Sequence, residues 1–355
     1  MQRPLLALII LLLLSITLPP LLRHQPTSDV EVGSESVTLS GRTMGTTYNV
    51  TFIRENDAKI KPDRVHQAIE TRLQEINQHM STYIPNSEIS RINKAPANTP
   101  IKISPDTAHV IAAAQQVSAA TQGAFDITVG NLVNLWGFGP EIKLYAIPDE
   151  TKIEAILAES GYQRLELDSA LLQVRKHTDS LYLDLSGIAK GYAVDEIAEL
   201  LTQHGFSNHL VEIGGEIRTG GEKRAGSPWN IGIERPRTKE HSVQRIIHSS
   251  TSLSMATSGD YRNYFEHSGK RYSHTIDPKT GHPINHNLAA ISVLHTSCML
   301  ADAYATAFMV MGPQRSMDFA TAHDISVYML VKEEDGFAAL SSPAFEKNFS
   351  SGERK

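Results

Sequence analysis

The sequence predicts an α+β fold, with a mixed, largely antiparallel sheet and packed helices in a single large domain. Strand-like segments occur in clusters linked by short turns, and helical segments lie between these clusters. No Gly-x-Gly-x-x-Gly pattern follows a first strand, so a Rossmann dinucleotide fold is not supported. The 355 residues contain no internal repeat and no convincing boundary between two domains.

The individual elements follow from apolar periodicity and from start and stop signals. Ser104 and Pro105, for example, form a helix start with a capping hydroxyl and a proline at the first position. Around Gly41 and Gly45, residues 37–52 alternate as a strand, and the glycines indicate a bulge or a close backbone approach, or else a simple hairpin turn. Helices are predicted at residues 62–80, 87–93, 104–123, 148–160, from the turn near 187 to 204, and 299–311. Further strands are predicted at residues 165–167, 171–175, 181–185, 209–213, 216–218, 229–234, 243–249, 288–294, 325–331 and 337–340.

Composition describes an ordinary globular protein, with 41% hydrophobic and 20% charged residues. The net charge of −6 argues against nucleic acid as a partner, and no basic stripe with interleaved aromatic residues occurs.

The N-terminus has the layout of a secretory signal, with a short positive start before an apolar run at residues 5–18. No small-residue cleavage site follows, and the apolar stretch 5–22 is near the lower length limit for a spanning helix. We expect residues 1–23 to be a signal peptide or, by preference, an uncleaved signal anchor. Residues 24–36 are then a tether, 37–341 the single large domain and 342–355 a loose tail. The one cysteine, Cys298, allows neither an intrachain disulfide nor a lipid-modified cysteine after the apolar run.

Asp302 and Thr306 interrupt the apolar helix 299–311, and they are four residues apart. At that spacing both side chains leave the same face, so they can offer two oxygens to one hard cation, Mg²⁺ or Ca²⁺. The alternative is local: Asp302 caps a helix start and Thr306 bonds back to the Asp302 carbonyl. Taken alone, this stretch favours the local alternative.

Two other stretches suit a phosphorylated, planar ligand. Gly187, Lys190 and Gly191 lie at a strand-to-helix turn, where helix N–H groups and a lysine provide positive potential. Their spacing is not that of a Walker loop. Residues 123–139 are rich in glycine and aromatic residues, which indicates either a planar ligand or a buried turn packed by Trp136.

Together these stretches resemble the FAD:protein FMN transferases, the ApbE-type flavin transferases, over residues 41–312. The resemblance depends on an ordered series of motifs: Thr43-Met-Gly-Thr-Thr-Tyr48, Met80-Ser-Thr-Tyr83, Gly123-Ala-Phe-Asp126, Asp184-Leu-Ser-Gly-Ile-Ala-Lys-Gly191, Glu212-Ile-Gly-Gly215, Thr257-Ser-Gly-Asp260, Ser273-His-Thr-Ile-Asp-Pro278 and Ala301-Asp-Ala-Tyr-Ala-Thr306.

The resemblance implies a set of site residues. The metal ligands are then Asp302, Thr306 and the Gly187 carbonyl, and Ala305 stands where some relatives have a second carboxylate. His274 is the candidate catalytic base, with Asp260 and Asp277 as weaker candidates. The implied FAD contacts are Met44, Tyr83, Ala124, Phe125, Asp126, Asp184, Lys190 and the Ile276 backbone.

The implied activity is Mg²⁺-dependent transfer of FMN from FAD to a Thr or Ser hydroxyl of an acceptor protein, with release of AMP. The implied partners are redox subunits, and the implied location is the bacterial inner membrane with the catalytic domain facing the periplasm. Two alternatives stay open: a Mg²⁺-dependent FAD pyrophosphatase, and an extracytoplasmic flavin-binding protein without catalysis.

Overall fold

An eight-stranded antiparallel sheet organises the structure, a computed structural model that describes residues 33–55, 60–140, 147–224, 226–236, 243–260 and 264–349. Its strands, in spatial order, are β1 (Ser34–Thr43), β2 (Thr46–Glu55), β6 (His209–Ile213), β7 (Glu216–Gly220), β10 (Leu253–Gly259), β13 (Leu288–His295), β14 (Ser326–Glu333) and β15 (Gly336–Ser341). Smaller sheets contain β3 (Ile101–Lys102), β4 (Leu165–Asp168) and β5 (Gln173–Lys176); β8 (Trp229–Glu234) and β9 (Val243–Ser249); and β11 (Tyr264–His267) and β12 (Lys270–Ser273).

The helices are α1 (Pro62–Met80), α2 (Glu88–Lys94), α3 (Pro105–Ala120), α4 (Gly130–Leu135), α5 (Glu150–Glu159), α6 (Ala189–Gln203), α7 (Cys298–Met311), α8 (Pro313–Ala322) and α9 (Pro343–Phe349). The predicted α+β class with a largely antiparallel sheet is confirmed. None of the helices in the described ranges combines the length and hydropathy that a bilayer crossing requires.

Strands β13 and β14 are buried on both faces. Antiparallel sheets more commonly expose one face to solvent. On one face, Val293 and Met329 belong to the main core with helices α1, α3, α6 and α7. On the other face, Leu294 and Leu330 pack with the β8–β9 hairpin and Phe345 of α9. The site described below therefore lies on a sheet that is fixed from both sides.

The first hairpin contains both a tight turn, at Gly45, and a close backbone approach, at Gly41. Thr43 pairs with Thr46, and the two turn residues Met44 and Gly45 have φ of 48° and 74°, as a two-residue type I′ turn requires. A Cβ on Gly41 would lie 2.5 Å from the Tyr48 ring, so this glycine permits a close approach.

Two sequence predictions are wrong. Residues 181–185 are extended but form only an isolated bridge at Tyr182, because the side chain of Asn93, rather than a neighbouring strand, bonds the Leu183 backbone in both directions. The tail is not loose over Pro343–Phe349, since this helix buries Phe345 completely. Strand β1 also begins at Ser34, inside the predicted tether. The predicted anchor, residues 1–23, lies outside the described residues.

Candidate functional site

The site begins where the N-terminus of α6 meets α7. Gly191 permits the contact, because a Cβ there would lie 2.3 Å from the Cys298 carbonyl oxygen and 2.8 Å from the Asp302 Cβ. Asp195, on the next turn of α6, accepts hydrogen bonds from the Cys298 and Met299 N–H groups, each at 3.0 Å. One helix thus holds the first turn of the other in a fixed position.

Asp302 lies inside α7, not at its start. The helix is capped by Ser297, whose Oγ accepts from the Leu300 N–H, so the capping alternative for Asp302 is wrong. The Asp302 side chain is 4% exposed, and its Oδ2 accepts the Gly191 N–H at 3.0 Å. Its Oδ1 is 3.8 Å from the Lys190 Nζ. A buried carboxylate is thereby presented at the N-terminus of α6, where backbone N–H groups favour negative charge.

Gly187 and Thr306 are brought together beside this carboxylate. A Cβ on Gly187 would lie 3.0 Å from the Thr306 Oγ1 and 3.2 Å from the Phe125 ring, so only glycine fits without displacing its neighbours. Thr306 is one turn beyond Asp302 on the same helix. The three residues predicted as metal ligands therefore occupy adjoining positions at one helix crossing.

Glu216 is the site residue that sequence reasoning missed. It is the first residue of β7, is 4% exposed, and its Oε1 lies 3.2 Å from the Lys190 Nζ. Its Oε2 has no hydrogen-bond partner among the described residues. The available signal was weak: a glutamate directly after the Gly214-Gly215 turn resembles any surface residue at a strand start.

Two buried carboxylates thus share one ammonium group. Burial, together with the Asp302 carboxylate and opposed by Lys190, raises the pKa of Glu216 to about 8. Burial also raises the pKa of Asp302, and the Lys190 ammonium and the Gly191 N–H offset only part of that effect. Burial alone would lower the pKa of Lys190, but the Asp302 and Glu216 carboxylates raise it above its ordinary value. The raised pKa values indicate that one ammonium does not compensate two buried carboxylates, and a divalent cation would favour the charged form of both.

The donor set suits a hard cation. The described residues contain no cluster of three or more His, Cys, Asp and Glu side chains that could hold a metal. Asp302, Thr306 and Gly187 instead offer a carboxylate, a hydroxyl and a carbonyl, all of them oxygen ligands of the kind that Mg²⁺ and Ca²⁺ prefer. Ala305, the position at which the resemblance implies a second carboxylate in some relatives, is completely buried.

Tyr83 and Asp184 lie near one another beside the segment that carries Gly187. The Tyr83 side chain is 67% exposed, and partial burial of its hydroxyl, followed by the Asp184 carboxylate, raises its pKa. Asp184 Oδ1 accepts the Ser186 N–H at 2.8 Å. An exposed ring at the rim of the site is available for a planar ligand.

The segment from Ala124 to Asp126 is more enclosed. Ala124 and Phe125 are each 3% exposed. Asp126 accepts hydrogen bonds from the Thr128 N–H, the Thr128 hydroxyl and the Tyr162 N–H, so its carboxylate is engaged by the protein. An FAD contact by these residues stays a prediction.

The remaining predicted contacts lie on two loops. Met44 is at the tip of the first hairpin and packs partly on the main core. His274 follows β12, half-buried, with its ring edge-on to Phe138 at 6.3 Å between centroids. Ile276 is 5% exposed and bridges Pro283. The roles of these residues also stay predictions.

Trp136 is a buried anchor for the His274 loop. It is 2% exposed, its Nε1 donates to the Gly281 carbonyl at 2.8 Å, and its ring stacks on Tyr272. These contacts agree with the alternative that residues 123–139 include a buried turn packed by Trp136.

Comparison with known proteins identifies the family of this chain. A model of the ApbE family matches residues 44–329. A curated relative from Vibrio cholerae, named FAD:protein FMN transferase, is 46% identical over 319 residues, or 89% of this chain and 93% of the relative. One of the same name from Haemophilus influenzae is 43% identical over 88% of this chain and 91% of its own length.

Solved structures give the same result. The flavin transferase ApbE from Vibrio cholerae superposes with a TM-score of 0.82 at 44% identity, covering 89% of this chain and 100% of that one. The apo form of the Pseudomonas stutzeri flavinyl transferase ApbE superposes with a TM-score of 0.83 at 39% identity, covering 90% and 98%. The resemblance indicated by the motifs is confirmed, and this chain belongs to the ApbE family.

Proposed function

We propose that this chain transfers the FMN moiety of FAD to a Thr or Ser hydroxyl of an acceptor protein, releases AMP and requires Mg²⁺. Relatives that cover most of the chain are named FAD:protein FMN transferase. The observation that carries the proposal is the convergence of Asp302, Thr306 and Gly187 beside Lys190 at the N-terminus of α6. Such a site is built for the oxygens of a pyrophosphate.

The bond changes balance without a further reactant. The acceptor hydroxyl oxygen forms a bond to the FMN phosphorus, and the bond between that phosphorus and the bridging oxygen of the pyrophosphate breaks. AMP leaves with the bridging oxygen, and the hydroxyl proton passes to a base. The product is FMN joined to the acceptor by a phosphodiester.

The chain's own residues supply charge and position. Mg²⁺ held by Asp302, Thr306 and the Gly187 carbonyl would neutralise pyrophosphate oxygens. Lys190 adds a positive charge, and its side chain is 26% exposed, so the residue borders the open side of the site. The first turn of α6 contributes its N–H groups, of which that of Gly191 is already occupied by Asp302.

His274 is the proposed base. It lies, half-buried, on a loop that Trp136 fixes through the Gly281 carbonyl. An imidazole titrates near neutral pH, which suits it to take a proton from a hydroxyl during attack.

The proposed acceptors are redox subunits, and the proposed location is the bacterial inner membrane with the catalytic domain in the periplasm. The support is the signal-like pattern of residues 1–23. Fractionation and protease treatment of spheroplasts test this. Digestion of the catalytic domain from outside is expected, and full protection with recovery in the cytosolic fraction would contradict it.

The activity is tested by incubating the purified protein with FAD, Mg²⁺ and an acceptor domain, followed by a denaturing gel read by flavin fluorescence. We expect fluorescence that stays on the acceptor and disappears when the acceptor Thr or Ser is replaced by Ala. Free FMN and AMP with a dark acceptor band would indicate the pyrophosphatase instead. Bound but unaltered FAD would indicate a binding protein.

A further inference from the structure

The Lys190 ammonium lies between two carboxylates from different elements, Asp302 of α7 and Glu216 of β7. It is 3.8 Å from the Asp302 Oδ1 and 3.2 Å from the Glu216 Oε1. Only the second distance is within hydrogen-bond range. The pair with Asp302 is thus a looser charge contact than the pair with Glu216.

The two carboxylates also differ in what else they bind. The Asp302 Oδ2 accepts the Gly191 N–H, and the Lys190 ammonium lies near the other oxygen, Oδ1. Glu216 has an oxygen, Oε2, that is buried and has no hydrogen-bond partner among the described residues. A buried acceptor without a partner is costly, so its presence in a charged cluster needs a reason.

Lys190 and a divalent cation compete for Asp302. With its ammonium 3.8 Å from the Asp302 Oδ1, Lys190 neutralises the carboxylate that is proposed to bind the metal. A cation on Asp302 would repel this ammonium in a site where water screens little. The ammonium must then move, and Glu216 is the acceptor within its reach that has unused capacity.

We propose that Lys190 is a tethered counter-cation: its ammonium, already hydrogen-bonded to Glu216, also offsets the charge of Asp302, and it withdraws fully onto Glu216 when a divalent cation binds Asp302. Glu216 is then a positioning residue: it determines metal affinity through Lys190 without ligating the metal. This inference depends on the proposed Mg²⁺ site but not on the identity of the acceptor protein.

Binding of Mn²⁺ alone to the purified full-length chain, followed by the EPR signal of free Mn²⁺, tests the proposal without any turnover. Glu216→Gln is expected to weaken Mn²⁺ binding by roughly 10-fold or more, the range that residues behind metal ligands typically show. Lys190→Met is expected to tighten binding, because the competing charge is gone. In the Lys190→Met background, Glu216→Gln is expected to change the affinity by less than about 3-fold, since the two residues act as one unit.

Glu212→Gln is the matched control. It removes the same charge from the same β6–β7 hairpin, but Glu212 bonds Asn49 and the Gly215 N–H instead of Lys190. Its Mn²⁺ affinity should match that of the unaltered chain, and melting curves establish that each variant is folded.

The outcomes are separable. Equal effects of Glu216→Gln with and without Lys190 would mean that Glu216 acts on the metal directly, which overturns the proposal. Weaker binding in Lys190→Met alone would overturn it as well, even if Glu216→Gln did not fold. No Mn²⁺ binding by an unaltered chain that still transfers FMN would remove the metal site and this inference together, leaving the transferase function intact.

Discussion

Replacing Asp302 with Asn should separate activity from stability. The substitution is nearly isosteric, and the side-chain oxygen of Asn can still accept the Gly191 N–H that Asp302 Oδ2 accepts at 3.0 Å. What is lost is the negative charge that is proposed to hold the metal. We therefore expect FMN transfer to fall by at least about 100-fold, which corresponds to roughly 3 kcal/mol of transition-state stabilisation.

The effect of Asp302→Asn on the free energy of unfolding depends on the ion pair with Lys190 and on the cost of burying the carboxylate. An ion pair at the 3.8 Å separation of Lys190 and Asp302 attracts by about 4 kcal/mol at an effective dielectric constant of about 20. Removing a carboxylate from water costs several kcal/mol, which offsets that gain. The raised pKa of Asp302 indicates that the cost of burying its charge exceeds the attraction. The free energy of unfolding should therefore stay within about 1 kcal/mol of its original value or increase.

The assay pairs initial rates of acceptor labelling with melting curves of the metal-free protein. Asp195→Asn is the matched control, because its carboxylate accepts from Ser297, Cys298 and Met299 and pairs with Arg218. An amide cannot accept all four bonds, so this variant should lose about 1–3 kcal/mol of stability. Normal transfer by Asp302→Asn, or a large loss of its stability without a loss of rate, would refute the reasoning.

Three further predictions concern single residues. His274→Ala should bind FAD but turn over slowly; if equilibrium binding of FAD is lost instead, His274 positions the substrate. Lys176→Met should lower the free energy of unfolding by about 3 kcal/mol in a denaturant melt, because the buried Lys176 ammonium donates to three carbonyl oxygens; an unchanged midpoint would contradict this. Burial lowers the pKa of His209 in the folded protein, so unfolding should take up a proton and stability should fall as the pH drops below about 6.5. His209→Gln should reduce that slope, and an identical slope in both proteins would argue against the assignment.

Local rules predict most elements of the fold because their signals are local. Ser104 and Pro105 begin α3 at the predicted place, with the Ser104 Oγ accepting the Thr107 N–H. The order of strands was not predictable, because β2 pairs with β6, which is distant in the chain. Such pairings depend on the whole assembly and leave no short-range pattern.

The two wrong predictions have different causes, and the first arises because alternation reports burial and not pairing. Leu181, Leu183 and Leu185 alternate inward as a strand would, but their segment lies against Asn93 and the chain around residue 127. The second error concerns Phe345, which is surrounded by polar residues in the sequence. It is buried because it packs on the apolar face of the sheet.

At the site, spacing placed Asp302 and Thr306 on one helix face, and only the resemblance to a family added Gly187 and Lys190 to them. Asp302 and Thr306 share a helix, so their spacing was informative. Glu216 was missed because its role depends on Lys190, which is distant in sequence and adjacent only in the folded structure. A buried charged residue is identified by the opposite charge beside it, and that neighbour is known only once the structure is known.

The central claim is that FMN passes from FAD to a hydroxyl of another protein. Intact-mass measurement of the acceptor, with AMP quantified in the same reaction, tests it most directly. We expect one FMN added per AMP released, on a Thr or Ser, and neither product with Asp302→Asn. Equal amounts of free FMN and AMP with an acceptor of unchanged mass would contradict the claim.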